Sequence, residues 1–283
     1  MPYAISNGLC SLGDVKAALR LTPNDTTDDN RIGLAIDAAT RMIERTTMRR
    51  FWQDSAVSSR DYVAESPWLC PVDDFESAFV VHDGVTTAGS PNVSSLMAPW
   101  DQTHIGDVVS GLPIPAGATI VTVTDANHVV LSANCTTTAT NVALSSGVTV
   151  QTDPAGDGSF GLTWGPGDYQ LEPLNKLLNG HPWPYTKVRA TKSLAFPIYG
   201  GIAYPMPYTQ ALIRVTTRWG WLAVPSDVQK AAIVQAIALF KADDTPFGAT
   251  AFGEVGVLRQ KVSMHPTAEL LIEPYRASVV LVA

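Results

Sequence analysis

Between Asp61 and Asn175 the chain has neither a lysine nor an arginine. That stretch holds 13 of the 26 carboxylates, and all 19 basic residues lie outside it with the other 13 acids. The middle therefore carries −13 and the two ends together +6. Thirteen carboxylates without a cation repel phosphates, so direct nucleic-acid grip by the middle is not expected. The same pattern also serves plain solubility, since net charge speaks to association rather than to fold. Cysteine is scarce: three widely spaced residues (Cys10, Cys70, Cys135) with no CxxC support neither a disulfide framework nor a zinc site. No apolar run approaches the roughly 20 residues that span a bilayer, and the longest candidate, Ala231–Phe240, is broken by Gln235. The opening Met1-Pro2-Tyr3-Ala4 lacks a basic and an apolar region, so secretion is not expected. The sequons at Asn24, Asn92 and Asn134 then carry no meaning, because glycosylation needs a secretory route. Charged residues make up only 16%, but the 46% hydrophobic fraction can fill a core and excludes a wholly disordered chain.

What is present divides by position. A length of 283 residues suggests about two domains. Ser11-Leu12-Gly13-Asp14 reads as a capping box, followed by Leu12, Val15 and Leu19 at helical spacing and a stop at Pro23. Thr26-Thr27-Asp28-Asp29 starts a second helix, with Ile32, Ile36, Ala39 and Ile43 as its stripe and Arg45, Arg49 and Arg50 at the end the dipole favours. From Arg60 onward, Pro, Gly, Ser and Thr punctuate short β-branched runs such as Phe79–Val81, Ile120–Val123 and Val129–Leu131. The 21 Gly and 20 Pro show no repeat, which excludes collagen and favours turn-rich β structure. Gln210–Trp219 alternates as a strand ended by Gly220. Pro225-Ser226-Asp227 opens a third helix with an Ile233, Ile237, Phe240 stripe, stopped by Pro246 and Gly248. A short helix follows Pro266 over 267–272, and the last residues, Ser278–Ala283, are apolar and β-prone.

Catalytic patterns fail one by one. Asp153–Gly158 resembles half of a calcium loop but has Trp164 where the bidentate Glu belongs, so it reads as a turn. Gly111–Gly117 lacks Gly-Lys-Ser/Thr, and Ser159 follows Asp157 where a nucleophile elbow needs Gly. His82, His104, His128, His181 and His265 show no metal-ligand spacing. No nucleophile pairs with a base, so the expectation is a non-enzyme without metal or cofactor.

The two ends resemble a known family. Leu12–Leu21, Asp28-Asp29, Ile36–Ala39 and Arg49-Arg50-Phe51 are similar to the N-terminal signature of head–tail connector (adaptor) proteins of long-tailed bacteriophages. Val215–Trp221, Val224–Val228, Ala231-Ala232 and Pro246–Gly248 resemble that family's strand–helix segment, and Glu269–Leu271 with Pro274–Arg276 its closing helix. Gln151–Asp153 through Asp168–Pro173 resembles the variable middle of actinobacteriophage versions. The ordered matches cover about half the chain. Residues 98–146 are similar to small β modules that recur in phage structural proteins, placed here as an insertion.

The resemblance implies an α+β fold in which N- and C-terminal helices form one helical bundle beside a β-rich middle domain. The corresponding division is 1–60 and 222–283 for the core and tail, 61–97 and 147–221 for the β domain, and 98–146 for the insertion. It further implies a twelvefold ring of this chain beneath the portal, joining capsid to tail in the virion neck and assembled in the host cytoplasm. A stopper or other neck protein would lie below, and double-stranded DNA would pass through without specific binding. Leu270, Leu271, Tyr275, Arg276, Val280 and Val282 are candidate contacts to the portal or a neighbouring subunit, and Asp73, Asp74 and Glu76 a candidate acidic channel face. The other reading is a carbohydrate- or receptor-binding β module, suggested by Trp68, Trp100, Trp164 and Trp183.

Overall fold

The computed structural model describes residues 4–178, 180–191, 194–198, 211–242, 249–252, 256–259 and 264–277. The chain divides into two compact units: Met1–Trp52 with Ala223–Ala283, and Gln53–Leu222.

In the first unit, helix α1 (Leu12–Leu19) begins where Ser11 and Asp14 cap each other. The Ser11 hydroxyl accepts from the Asp14 amide at 3.1 Å and the Asp14 carboxylate from the Ser11 amide at 2.9 Å. It ends at Arg20 in the left-handed region (φ 59°), whose amide returns to the Ala17 carbonyl. Helix α2 (Asp29–Thr47) buries Ile32, Ala35, Ile36, Ala39 and Ile43. Helix α3 (Ser226–Ala242) packs along α2 with Val228, Ala231, Ala232, Gln235, Ala236 and Phe240. The Ile233 and Ile237 expected to lead that face are only half-buried. Alanines let two helices approach closely, so the isoleucines of α2 fill the space that small α3 side chains leave. Helix α4 (Pro266–Ile272) packs on α3, and the buried Gln235 side chain accepts the His265 amide at its start, at 2.7 Å.

The second unit is built from sheets. A four-stranded antiparallel platform runs β1 (Ser58–Tyr62), β15 (Ile213–Thr217), β9 (Val148–Thr152), β10 (Leu162–Thr163). A three-stranded sheet runs β11 (Tyr169–Glu172), β14 (Tyr185–Ala190), β2 (Leu69–Phe75). Strand β15 alternates as its sequence demands: Ile213, Val215 and Thr217 face inward, while Arg214 and Thr216 face out. The two sheets share a core that includes Phe75, Val150, Trp164, Tyr169, Val188, Phe196 and Trp219. Strands β12 (Leu177–Leu178) and β13 (His181–Pro182) form a small hairpin.

A six-stranded sheet has the order β5 (Val109–Ser110), β8 (Ala139–Ser146), β3 (Phe79–Thr86), β4 (Asn92–Ser94), β7 (His128–Leu131), β6 (Ile120–Asp125). It takes in β3 and β4 as well as the 98–146 segment. The sheet curls until its outer strands meet, with Val108 bridging Thr119. Three backbone hydrogen bonds close that seam: Gly106 N–H to the Ile120 carbonyl (2.8 Å), Ile120 N–H to Asp107 (3.0 Å) and Val109 N–H to Ala118 (2.9 Å). The close approach of β3 to β8 needs glycine at Gly84, where a Cβ would lie 2.4 Å from the Leu144 side chain and 2.9 Å from the Val142 carbonyl oxygen. Inside lie Phe79, Val93, Trp100, Ile120, Val129, Leu131 and Leu144.

The expected helical bundle with a β-rich middle is corrected here: the fold is β-rich, dominated by a curled half-barrel sheet. Among the described residues there are four α-helices against seventeen strands. The terminal segments are not purely helical either, because β16 (Ala249–Phe252) and β17 (Gly256–Arg259) form an antiparallel hairpin there. The physical reason is length. Helix α1 has eight residues and α4 seven, stopped by a left-handed cap and by Pro274, which leaves only two helices long enough for bundle packing.

Candidate functional site

The closing segment after α4 meets the end of α2. The Arg49 Nε donates to the Tyr275 carbonyl at 2.8 Å, across 226 residues of chain. The Phe51 and Tyr275 rings meet edge to face, with centroids 5.7 Å apart at 81°. The Ala277 amide donates to the Thr47 carbonyl at 2.9 Å, satisfying one of the last open carbonyls of α2. Burial, with a smaller contribution from the charge of Asp227, raises the Tyr275 hydroxyl above its ordinary pKa. Arg276 pairs with Glu269 at 2.8 Å. Leu270 is 68% exposed and Leu271 half-buried, while Ala268 and Ile272 turn into the core. Tyr275 and Arg276 are thus engaged within their own unit, and Leu270 is the candidate contact that solvent reaches most freely. Val280 and Val282 lie outside the described residues.

The acidic candidates have structural partners. Asp73 accepts from Arg60 at 2.5 Å and from the Tyr62 hydroxyl at 3.0 Å. Asp74 accepts the Trp221 indole N–H at 2.8 Å, and Glu76 accepts the Leu222 amide at 2.9 Å. Lys176 donates to the Glu76 backbone carbonyl. A stretch without cations in sequence is therefore not without cations in space. Arg60 bridges Asp54 and Asp73, Arg189 holds Glu172, Arg214 grips Asp61 at 2.7 Å, and Arg218 reaches Asp107 at 3.3 Å. The Arg214 hydrogen bond holds the Asp61 carboxyl below the usual carboxylate range. Antiparallel pairing of β11 with β14 makes the Arg189–Glu172 contact and that of β1 with β15 the Arg214–Asp61 contact, and no local sequence pattern announces either.

Other carboxylates stiffen loops. Asp153 accepts the Gly156 and Gly158 amides at 2.9 and 2.6 Å, which makes its segment a turn. Asp83 accepts from the Ser95 hydroxyl and from the Leu96 and Met97 amides at 2.8 and 3.0 Å, presenting Leu96 (83% exposed) and Met97 (70%) to solvent. Sequence reasoning missed this pair. Its signal was an aspartate one strand away, visible only once β3 and β4 are paired.

The tryptophans that suggested a glycan site are mostly core. Trp100, Trp164 and Trp183 are buried, and Trp164 stacks on Phe196 with centroids 4.6 Å apart. Only Trp68 of the four is exposed. Cys10, Cys70 and Cys135 are free and buried, and burial pushes the Cys10 and Cys70 thiols up to about 12. Among the described residues, no group of three or more His, Cys, Asp or Glu side chains could hold a metal ion. No helix among them is long and apolar enough to cross a membrane.

No protein-family model and no curated protein matches the chain. Among solved structures, the chain is similar to a component of the neck of an empty GTA (gene transfer agent) particle computed with C6 symmetry. That likeness is 13% identical with a TM-score of 0.37, over 99% of this chain and 96% of the other, and it is too loose to carry an inference about fold or function.

Proposed function

We propose that the chain is a structural head–tail adaptor of a phage virion: a ring subunit docked beneath the portal, joining capsid to tail around the DNA path. The observation that carries the reading is where the resembling segments lie. The N-terminal signature ends at Arg49-Arg50-Phe51 and the closing segment is Pro274-Tyr275-Arg276, and these two stretches touch through the Arg49–Tyr275 hydrogen bond and the Phe51–Tyr275 ring contact. A signature split between the two ends of a chain is meaningful when folding reunites its parts: the N-terminal signature, Val224–Val228 and the closing segment share the unit of Met1–Trp52 with Ala223–Ala283, while Val215–Trp221 belongs to the other unit. In this reading residues 98–146 are an insertion in the adaptor plan, the partners are the portal, a stopper protein and further copies of the chain, and the role is not catalytic. DNA transits without a specific grip, in keeping with Arg60, Arg189, Arg214 and Arg218 being engaged by carboxylates of the chain itself.

Deletion of the gene from the particle that encodes it tests the reading, with electron microscopy of the products. Filled or empty heads and separate tails, rejoined when the chain is supplied in trans, are the expected outcome. Normally joined particles lacking the chain would overturn it. The glycan-binding reading loses its support with the burial of three of its four tryptophans.

A further inference from the structure

The chain passes between the platform and the six-stranded sheet at Ser77–Ala78, leading into β3, and at Gly147, leading out of β8 into β9, with Val80 of β3 packed on the platform core. At Gly147 (φ +76°) a Cβ would lie 3.2 Å from Ala78 Cα, 3.2 Å from the Ser77 carbonyl and 3.4 Å from an Asp107 carboxylate oxygen. Asp107 comes from the seam of the curled sheet and is fully buried. The cation that reaches it, Arg218, comes from the chain just beyond β15 of the platform, with Nη2 at 3.3 Å. Arg218 also donates to the Thr103 carbonyl at 3.2 Å. Yet neither Asp107 oxygen has a hydrogen-bond partner among the described residues, nor does the Arg218 Nε, the Ser77 hydroxyl or the Ser146 hydroxyl.

A carboxylate buried in an ion pair without supporting hydrogen bonds of its own can lose more by desolvation than it regains by attraction, and here the Asp107 side is fully buried while Arg218 keeps 18% of its side chain exposed. Burial accordingly raises the Asp107 carboxyl above the usual range, against the opposing charges of Arg218 and His104 and with a small further rise from Asp101. Such a pair is a poor way to strengthen a fold and a good way to choose one arrangement, because an uncompensated buried charge penalises every other arrangement. We propose that Asp107 and Arg218 form a latch that selects one angle between the six-stranded sheet and the platform, at the expense of folding stability.

The test uses the full chain with nitroxide labels at two exposed sites, Ala126→Cys on the curled sheet and Ser159→Cys on the platform side. Distance distributions and melting are compared for the parent, for Asp107→Asn, and for the double variant Asp107→Leu/Arg218→Met. The latch predicts a distribution at least twice as wide in both variants, with the double variant melting at or above the parent temperature. A distribution as narrow as the parent's in either variant overturns the proposal. A double variant that fails to fold, or melts lower by roughly 5 °C or more, also overturns it, because the pair would then be supporting the fold.

Discussion

Lys16 sits on an eight-residue helix, yet it is only 4% exposed. Its ammonium pairs with Asp29 at 2.5 Å and donates to the Asp25 and Pro23 carbonyls at 2.7 and 3.3 Å, which ties the connection between α1 and α2 to both helices. Lys16→Ala leaves a largely buried carboxylate and two carbonyls without their donor. A loss of about 3–5 kcal/mol is expected in urea unfolding, the range for breaking a buried pair. Ile36, fully buried on α2, gives a second measurement. Burial of such a side chain contributes about 1.5–3 kcal/mol, and a carboxylate in its place adds a desolvation cost, so Ile36→Asp should leave the terminal unit unfolded by circular dichroism. The carboxylates set an acid limb of known sign. Asp61 is held low by Arg214, so its folded pKa lies below the unfolded value of 3.8. Its contribution is complete above that value and is lost as pH falls through the folded pKa. Asp107, raised by burial, has the opposite sign: its contribution grows as pH falls from its folded pKa to the unfolded value of 3.8, above the window in which Asp61 loses its own. Urea midpoints of Asp61→Asn should therefore fall less steeply than the parent's below about pH 4.

Elements with a local cause were legible in the sequence. The Ser11–Asp14 box starts α1 at Leu12, and replacing Ser11 with Ala should cost about 0.5–2 kcal/mol by the same unfolding assay. The β15 alternation and the Pro266 helix start are local in the same sense. The inward face of α3 was legible only at Phe240: Ile233 and Ile237 read as core by their size, while packing against α2 selected the alanines. The β-rich character of the whole was underweighted for a related reason. Strands of two to four residues such as β5, β10 and β12 have too few positions to show alternation, and only pairing with a distant partner defines them. The same holds at the candidate site, where Arg49 and Tyr275 could be named separately but their contact is a product of folding. Gly147 is another element-scale result. An alanine there would need a left-handed backbone and would crowd Ala78 and Ser77, so Gly147→Ala should lower stability by about 1–3 kcal/mol.

For the whole molecule, the division into units makes unequal claims on the two parts of the chain. Gln53–Leu222 is continuous, whereas the other unit needs both ends. A chain of residues 53–222 should fold by itself, with near-ultraviolet circular dichroism from its buried tryptophans, while residues 1–52 alone should show little helix, because α2 lacks the α3 surface it packs on. A disordered 53–222 fragment would show that the boundary does not mark an independent unit. The charge asymmetry of the sequence also changes meaning at this scale, since Arg60, Lys176, Arg189, Arg214 and Arg218 return to a middle that lacks cations of its own. The seam from Val108 to Thr119 has a last consequence. Because Val109 spends its amide and Ile120 both its amide and its carbonyl across the seam, the curled sheet offers no open row at that place for another polypeptide to zip onto. However many copies are crowded side by side, strand exchange has no starting point at this seam, and association there must be made by side chains.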